Sequence, residues 1–280
     1  MIPKAISDIL ELSNSQTVPR LGFGVYKSPP EVCVQSCLAA LDNGYRHIDT
    51  AQFYSNENQV GEAWKKAGLS RDNVYLTTKI LDAAGSVDKS YRQCLESVEK
   101  LDRTGGYVDL FLIHSSNCGR EKRKELWQAL ERLYKEGGAK SIGVSNYGVQ
   151  HIEEMKEYAE VWPPHVNQIE LHPWCQQAKT VKYCGQHNIA VEAYCPIVRN
   201  KKSDDPALKK ISEKHKVTAS QVLIRWSLQR GYIPLPKSDT PSRIKENADV
   251  YRFDLDDDDM AILNQLDQGR DGAIVKAVDE

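Results

Sequence analysis

Eight short β-rich runs, each leading toward a segment of helical spacing, recur along the 280-residue chain, and this alternation leaves few architectures open. The runs are Leu21 to Val25, Tyr45 to Asp49, Val74 to Lys79, Val108 to His114, Ala139 to Val144, Val166 to Glu170, Ala190 to Tyr194 and Ile233 to Leu235. Amphipathic segments such as Val32 to Asn43, Glu57 to Gly68, Lys89 to Leu101, Glu121 to Gly137 and Ser220 to Arg230 lie between them. Glycines at 44, 68, 137 and 231 stand where a left-handed cap returns a helix to a sheet. Eight βα units predict a closed (β/α)8 barrel, the TIM-barrel form of the α/β class, as one domain over residues 1–280. An open doubly wound sheet is the alternative by counting. Its best signal is missing, because after Gly22-Phe23-Gly24 the third glycine of a dinucleotide fingerprint falls at Lys27. Residues before Leu21 form an N-terminal extension, and residues 268–280, which lack an aromatic anchor, are expected to be a mobile tail.

Lysine and arginine number 37 against 39 acidic residues, a net charge of -2, so no broad attraction to nucleic acid or anionic lipid is expected. No run of about 18 apolar residues and no signal-peptide pattern is present, which predicts a cytoplasmic chain without a membrane anchor. The seven cysteines are odd in number, scattered and never spaced C-x-x-C, as expected of reduced thiols. A metal site is not expected. The acidic run Asp254 to Asp259 lacks the glycine and final glutamate of a calcium loop, and suits a helix N-terminus ahead of Met260.

In a parallel barrel the active site forms where the strands end, so titratable residues closing apolar strands mark the place to look. Asp49, Lys79 and His114 each close a strand, and Tyr54 follows Asp49 by five residues. These four residue types together suggest proton transfer at an oxygen, with tyrosine as the acid. A phenol with pKa near 10 would need about 4 kcal/mol of help to reach 7, and the Lys79 ammonium, aimed by Asp49, is expected to supply it. The plainer alternative is a buried Asp49–Lys79 ion pair beside satisfied polar residues.

The stretch Gly44-Tyr-Arg-His-Ile-Asp-Thr-Ala-Gln-Phe-Tyr54-Ser-Asn-Glu-Asn-Gln-Val-Gly61 resembles the aldo-keto reductases. Leu21 to Gly24, Thr77 to Lys79, Asp109 to His114, Ile142 to Tyr147, Asn167 to Pro173 and Leu235 to Ser238 extend the likeness from about Val18 to Asp267. The resemblance implies a (β/α)8 barrel, a catalytic tetrad of Asp49, Tyr54, Lys79 and His114, and NADPH as cofactor, as in fungal-type aldehyde and carbonyl reductases. It implies that Ser145, Asn146 and Gln168 hold the nicotinamide carboxamide, that Tyr194 stacks on the ring, and that Gly24, Val25, Tyr26, Cys195, Ile197 and Arg199 line the cofactor. Lys237, Ser238 and Arg243, before and within a helix starting near Pro241, are where the family binds the adenosine 2′-phosphate, which suits cations at a helix N-terminus. Glu246 and Asn247 correspond to adenine contacts, and Asp239 is an acidic neighbour able to weaken the NADPH preference.

Tyr26, Phe53, Leu81 and Ser115 fall on the substrate wall. Leu81 and Ser115 stand where some relatives carry tryptophan, implying a wider cavity and broad acceptance of aldehydes and activated ketones. Cys195 replaces a serine hydroxyl, and the short segment from Val198 to Pro206 implies faster cofactor exchange, with Asp204 or Asp205 the acids that Lys27 would have to meet across it. The expected partner is a small carbonyl compound, and the expected state a monomer or weak dimer. Two other readings are a Schiff-base lyase using Lys79 and a slow, nucleotide-sensing barrel of the same family. Hydrolase and NTPase readings fail on spacing: Gly143-Val-Ser145-Asn-Tyr147 lacks the closing glycine of a nucleophile elbow, and Val149-Gln150 stands where a P-loop needs Lys-Ser/Thr.

Overall fold

The computed structural model describes residues 2–104, 106–275 and 277. A small antiparallel hairpin, β1 (Ile9–Glu11) and β2 (Thr17–Pro19), precedes the barrel. Eight parallel strands follow in sequential order: β3 (Phe23–Gly24), β4 (His47–Asp49), β5 (Tyr75–Ile80), β6 (Val108–Ile113), β7 (Ala139–Ser145), β8 (Val166–Glu170), β9 (Ala190–Tyr194) and β10 (Ile233–Pro234). The helices are α1 (Pro30–Asp42), α2 (Glu57–Lys66), α3 (Val87–Leu101), α4 (Arg120–Lys135), α5 (Val149–Met155), α6 (Ala178–Gln186), α7 (Pro206–His215), α8 (Ala219–Gln229), α9 (Pro241–Ala248) and α10 (Asp257–Asn264). The eight predicted strands all form. The outer two are shorter than the sequence suggests, because Pro234 and Pro236 have no amide to give a ladder.

Closure depends on the glycines that do not make a nucleotide fingerprint. The amides of Gly22 and Gly24 donate to the carbonyls of Pro234 and Pro236 at 3.1 and 3.0 Å, joining the first strand to the last. A Cβ on Gly22 would stand 2.5 Å from Leu235 Cδ2 and 2.7 Å from His47 Nδ1, so the seam admits no side chain there.

The helices bury stripes set by their apolar spacing. On α3, Tyr91, Cys94, Val98 and Leu101 enter the core that Leu126, Trp127, Leu130 and Leu133 of α4 share. Each such side chain contributes about 1.5–3 kcal/mol when fully buried. Leu12 and Val18, in and beside the hairpin, pack with Tyr75, Leu110, Leu112, Val166 and Ile233, so the N-terminal extension plugs the barrel interior from the end where strands begin. The opposite rim is left for chemistry. The acidic run behaves as its sequence suggests: Asp256 caps α10 by accepting from the Asp259 amide at 2.9 Å. Among the described residues no helix is long and apolar enough to cross a membrane, and no cluster could hold a metal ion.

The tail departs from expectation. A 3-10 turn spans Gly269–Gly272, the Gln268 amide donates to the Trp174 carbonyl at 3.0 Å, and the Val275 amide donates to Glu170 at 2.8 Å. Backbone hydrogen bonds and a buried carboxylate anchor residues 268–275 where no aromatic residue was present to signal it. Residues 276 and 278–280 of the expected mobile tail lie outside the described residues.

Candidate active site

Asp49 ends β4 in register with Thr77 of neighbouring β5, and Lys79 lies two residues further along the same face of β5, so both side chains reach one rim. Lys79 is fully buried, and its Nζ donates to Asp49 Oδ1 at 2.7 Å, the Thr50 carbonyl at 2.9 Å and Tyr54 Oη at 3.4 Å. Tyr54 stands on a 3-10 turn, Gln52–Tyr54, that Asn56 pins in place. Asn56 accepts from Thr50 Oγ1 at 2.6 Å and donates to the carbonyls of Val25 and Ser28 at 3.0 and 3.1 Å. A buried asparagine satisfied three times leaves the turn little freedom.

His114 follows β6, its ring 5.5 Å from that of Tyr54 and 6.1 Å from that of Phe53. Burial, then the Lys79 charge, pushes its pKa down to about 3, so the imidazole is neutral. Tyr54 departs from expectation: burial first, then the Asp49 carboxylate and the Tyr26 and Cys195 side chains, pushes its phenol well above the usual tyrosine value rather than toward 7. The ammonium stands close to the hydroxyl, but desolvation of a phenolate in this pocket outweighs it.

A second layer lies beneath the four. Gln168 Nε2 donates both to Asp49 Oδ2 at 2.8 Å and to Glu192 Oε2 at 2.7 Å. Burial and Asp49 push the Glu192 carboxyl up to about 8. Sequence reasoning passed over Glu192; its signal is an acid at the centre of the apolar strand Ala190–Tyr194. Ser145 Oγ donates to the Gln168 carbonyl at 2.8 Å, Asn146 Nδ2 to the His114 carbonyl at 3.1 Å, and Tyr194 Oη to Asn146 Oδ1 at 2.8 Å. The four titratable groups thus come from the ends of β4 to β6, and the polar platform beside them from β7 to β9.

Asp49, Tyr54, His114, Ser145, Asn146, Gln168 and Tyr194 line a cleft of about 500 Å³ that also includes Gly24, Tyr26, Lys27, Phe53, Leu81, Ser115, Cys195, Ile197, Arg199 and Lys237, with Lys79 buried behind it. Ile197, Asn200 and Lys237 are shared with an adjoining cavity of about 320 Å³, lined by Ser238, Arg243, Glu246 and Asn247. One long groove therefore runs from the tyrosine–histidine pair to the cations at the α9 N-terminus, where Pro241 opens the helix and no side chain caps it. An aromatic and amide platform at one end and cations at a helix N-terminus at the other suit a phosphorylated dinucleotide. Val25 adjoins this groove without lining it; it is fully buried, and its carbonyl is taken by Asn56.

Lys237 is held by Asp239, whose Oδ1 also accepts from Ser28 and Ser36 at 2.6 and 2.9 Å, so the acidic neighbour touches the cation directly. Asp204 pairs with Lys209 at 2.8 Å and Asp205 caps α7, so neither meets Lys27. The Arg199 guanidinium lies 5.8 Å from the Tyr26 ring centroid, on a segment where Val198, Arg199 and Asn200 all adopt left-handed φ (46°, 50°, 58°). Val275 and Ala277, from the stretch expected to be a mobile tail, join the cleft lining.

A model of the Aldo/keto reductase family matches residues 21–268. The chain belongs to the aldo-keto reductase family. Glyoxal reductase of Bacillus subtilis is 39% identical over 270 residues, 95% of each chain. Gox0644, solved as a point mutant in complex with NADPH, is 38% identical, with 96% of each chain covered and a TM-score of 0.89. The aldo-keto reductase AKR2E4 of Bombyx mori, solved in complex with NADP, is 31% identical, with 94% of this chain and 93% of that one covered and a TM-score of 0.85. This aldo-keto reductase is accordingly an oxidoreductase that uses the family's nicotinamide cofactor, built on a barrel rather than on a Rossmann fold.

Proposed function

We propose that this aldo-keto reductase reduces aldehydes and some ketones to alcohols, with NADPH as reductant and Tyr54 as the proton donor. The observation that carries the reading is the Lys79 ammonium seated between Asp49 Oδ1 at 2.7 Å and Tyr54 Oη at 3.4 Å. Bound NADPH supplies the hydride. The groove residues Ser145, Asn146, Gln168 and Tyr194 would hold its nicotinamide end, and Lys237, Ser238 and Arg243 its 2′-phosphate.

A phenol pushed up by burial suits the acid's part. It stays protonated until a carbonyl oxygen gains alkoxide character, and alkoxides are far stronger bases than phenolate. Once the proton leaves, a phenolate stands 3.4 Å from an ammonium, an attraction on the order of 5 kcal/mol at a protein-like effective dielectric. Lys79 therefore acts on the developing charge rather than on the resting acid, and Asp49 holds the ammonium in place. Neutral His114 is able to hydrogen-bond the carbonyl oxygen and orient it. The Schiff-base reading loses ground, because an ammonium donating to three acceptors has no lone pair for a carbonyl carbon. In this reading the enzyme works in the cytosol, alone or as a weak dimer. Its seven cysteines are all free, which suits a reducing compartment.

Replacing Tyr54 by Phe tests the assignment. Turnover of an aldehyde should fall by orders of magnitude while NADPH affinity, read by fluorescence titration, changes little. Loss of both together would assign Tyr54 a structural role and overturn the reading.

A further inference from the structure

Glu170 closes β8 at the same rim, is 2% exposed, and takes no part in the chemistry above. Three donors satisfy its carboxylate. His172 Nε2 at 2.9 Å and the Ile274 amide meet Oε1, and the Val275 amide meets Oε2 at 2.8 Å. Burial alone would raise this carboxyl, but His172 and the two amides hold it below the usual range. Two successive backbone amides aimed at one anion form a small nest, and a buried carboxylate is its complement.

The loop after β8 seats the rest of the segment. Gln176 Nε2 donates to the Asn264 carbonyl at 2.9 Å, and the Gln176 amide to Asp267 Oδ1 at 3.1 Å. Gly272 lies on the Trp174 backbone so closely that a Cβ would stand 1.8 Å from the Trp174 carbonyl oxygen. Beyond these anchors, Val275 and Ala277 line the cleft that Phe53, Leu81, Ser115, Tyr54 and His114 also line.

We propose that Glu170 is a specificity-determining positioning residue: its carboxylate latches the backbone of Ile274 and Val275 to the rim, making Val275 and Ala277 an apolar wall that favours carbonyl compounds bearing a longer apolar substituent. This rests on the reductase reading given above. Each methylene buried against the wall is worth about fourfold in kcat/KM, so an extension of three to four carbons that is fully buried there gains about two orders of magnitude. Loosening the latch forfeits that gain without touching the proton donor.

The test compares hexanal and heptanal with propanal, using NADPH, in wild type, Glu170→Gln and a chain ending at Gly272. Hydrogen exchange of the C-terminal peptide is followed in parallel. Glu170→Gln should speed exchange at Ile274 and Val275 at least tenfold and lower the long-over-short kcat/KM ratio at least fivefold, mainly through KM of the longer aldehyde. The chain ending at Gly272 should show the same loss of ratio, and adding Glu170→Gln to it should change the ratio no further, since coupled sites are not additive. Should Glu170→Gln fail to fold, Gly272→Ala unseats the segment from its other side and should give the same loss. Unchanged exchange, an unchanged ratio, or additive effects in the shortened chain would overturn the latch. No turnover of either aldehyde by the wild type would instead sink the reductase reading, with exchange still reporting on the latch.

Discussion

Asp49 and Glu192 share one amide, Gln168 Nε2, at 2.8 and 2.7 Å inside the barrel. Two buried carboxylates this close cannot both ionise cheaply, and Glu192, pushed up to about 8, is the one that keeps its proton. The unfolded chain releases that proton near pH 4.5 and the folded chain near 8, so the native state binds more protons between those values and its stability falls as pH rises. Glu192→Gln should therefore flatten this decline, with its advantage over the wild type growing from pH 5 to pH 8. Denaturant midpoints of the two proteins across this range check it, and parallel curves would contradict it.

The buried histidines give the opposite slope at low pH. His47 and His114 are both pushed down to about 3 by burial and the Lys79 charge. Below pH 6.5 the unfolded chain takes up protons that the native one refuses, so each histidine removes about 2 kcal/mol of stability at pH 5. His47→Gln should shrink the loss between pH 7 and 5 by that amount. For the same reason the acid limb of kcat should show no group titrating near 6.5 that can be assigned to His114.

Removing one member of the central pair should separate stability from chemistry. Lys79→Met leaves the Asp49 carboxylate buried with its charge partner gone, at about 3–5 kcal/mol, and should abolish turnover. Adding Asp49→Asn should restore much of the stability and none of the activity. Urea unfolding and a NADPH-oxidation assay on the single and double variants read both quantities.

The barrel seam offers a purely structural test. Gly22→Ala forces a methyl to within 2.5 Å of Leu235 Cδ2, and overpacking of this kind costs roughly 1–3 kcal/mol. The urea midpoint should fall accordingly, and Leu235→Ala in the same chain should relieve part of the loss, a coupling that additive effects would disprove.

The strand order and the rim quartet were legible because they rest on local patterns: apolar runs that end on Asp49, Lys79 and His114, and glycine caps such as Gly137 and Gly231, with φ of 81° and 83°. The seam was hidden because two amides and two carbonyls make it, and backbone pairing leaves no mark on residue type. Glu170 was read as part of a motif and not as an anchor, since its partners, the amides of Ile274 and Val275, lie more than a hundred residues away. The elevated Tyr54 phenol escaped for a related reason. Proximity to Lys79 could be inferred from spacing, whereas the depth of burial that outweighs it depends on side chains from distant strands.

The rim is divided along the chain: Asp49, Tyr54, Lys79 and His114 lie at or just past the ends of β4 to β6, while Ser145, Asn146, Gln168, Tyr194 and Lys237 follow from β7 onward. Under the proposed function, the acid and most of the groups that would hold the reductant are therefore encoded in separate stretches of one polypeptide. A relative's later half grafted after residue 115 would bring its own nucleotide seat and tail wall while inheriting this proton relay intact, which makes the preferred coenzyme and the preferred carbonyl compound exchangeable traits on a constant acid.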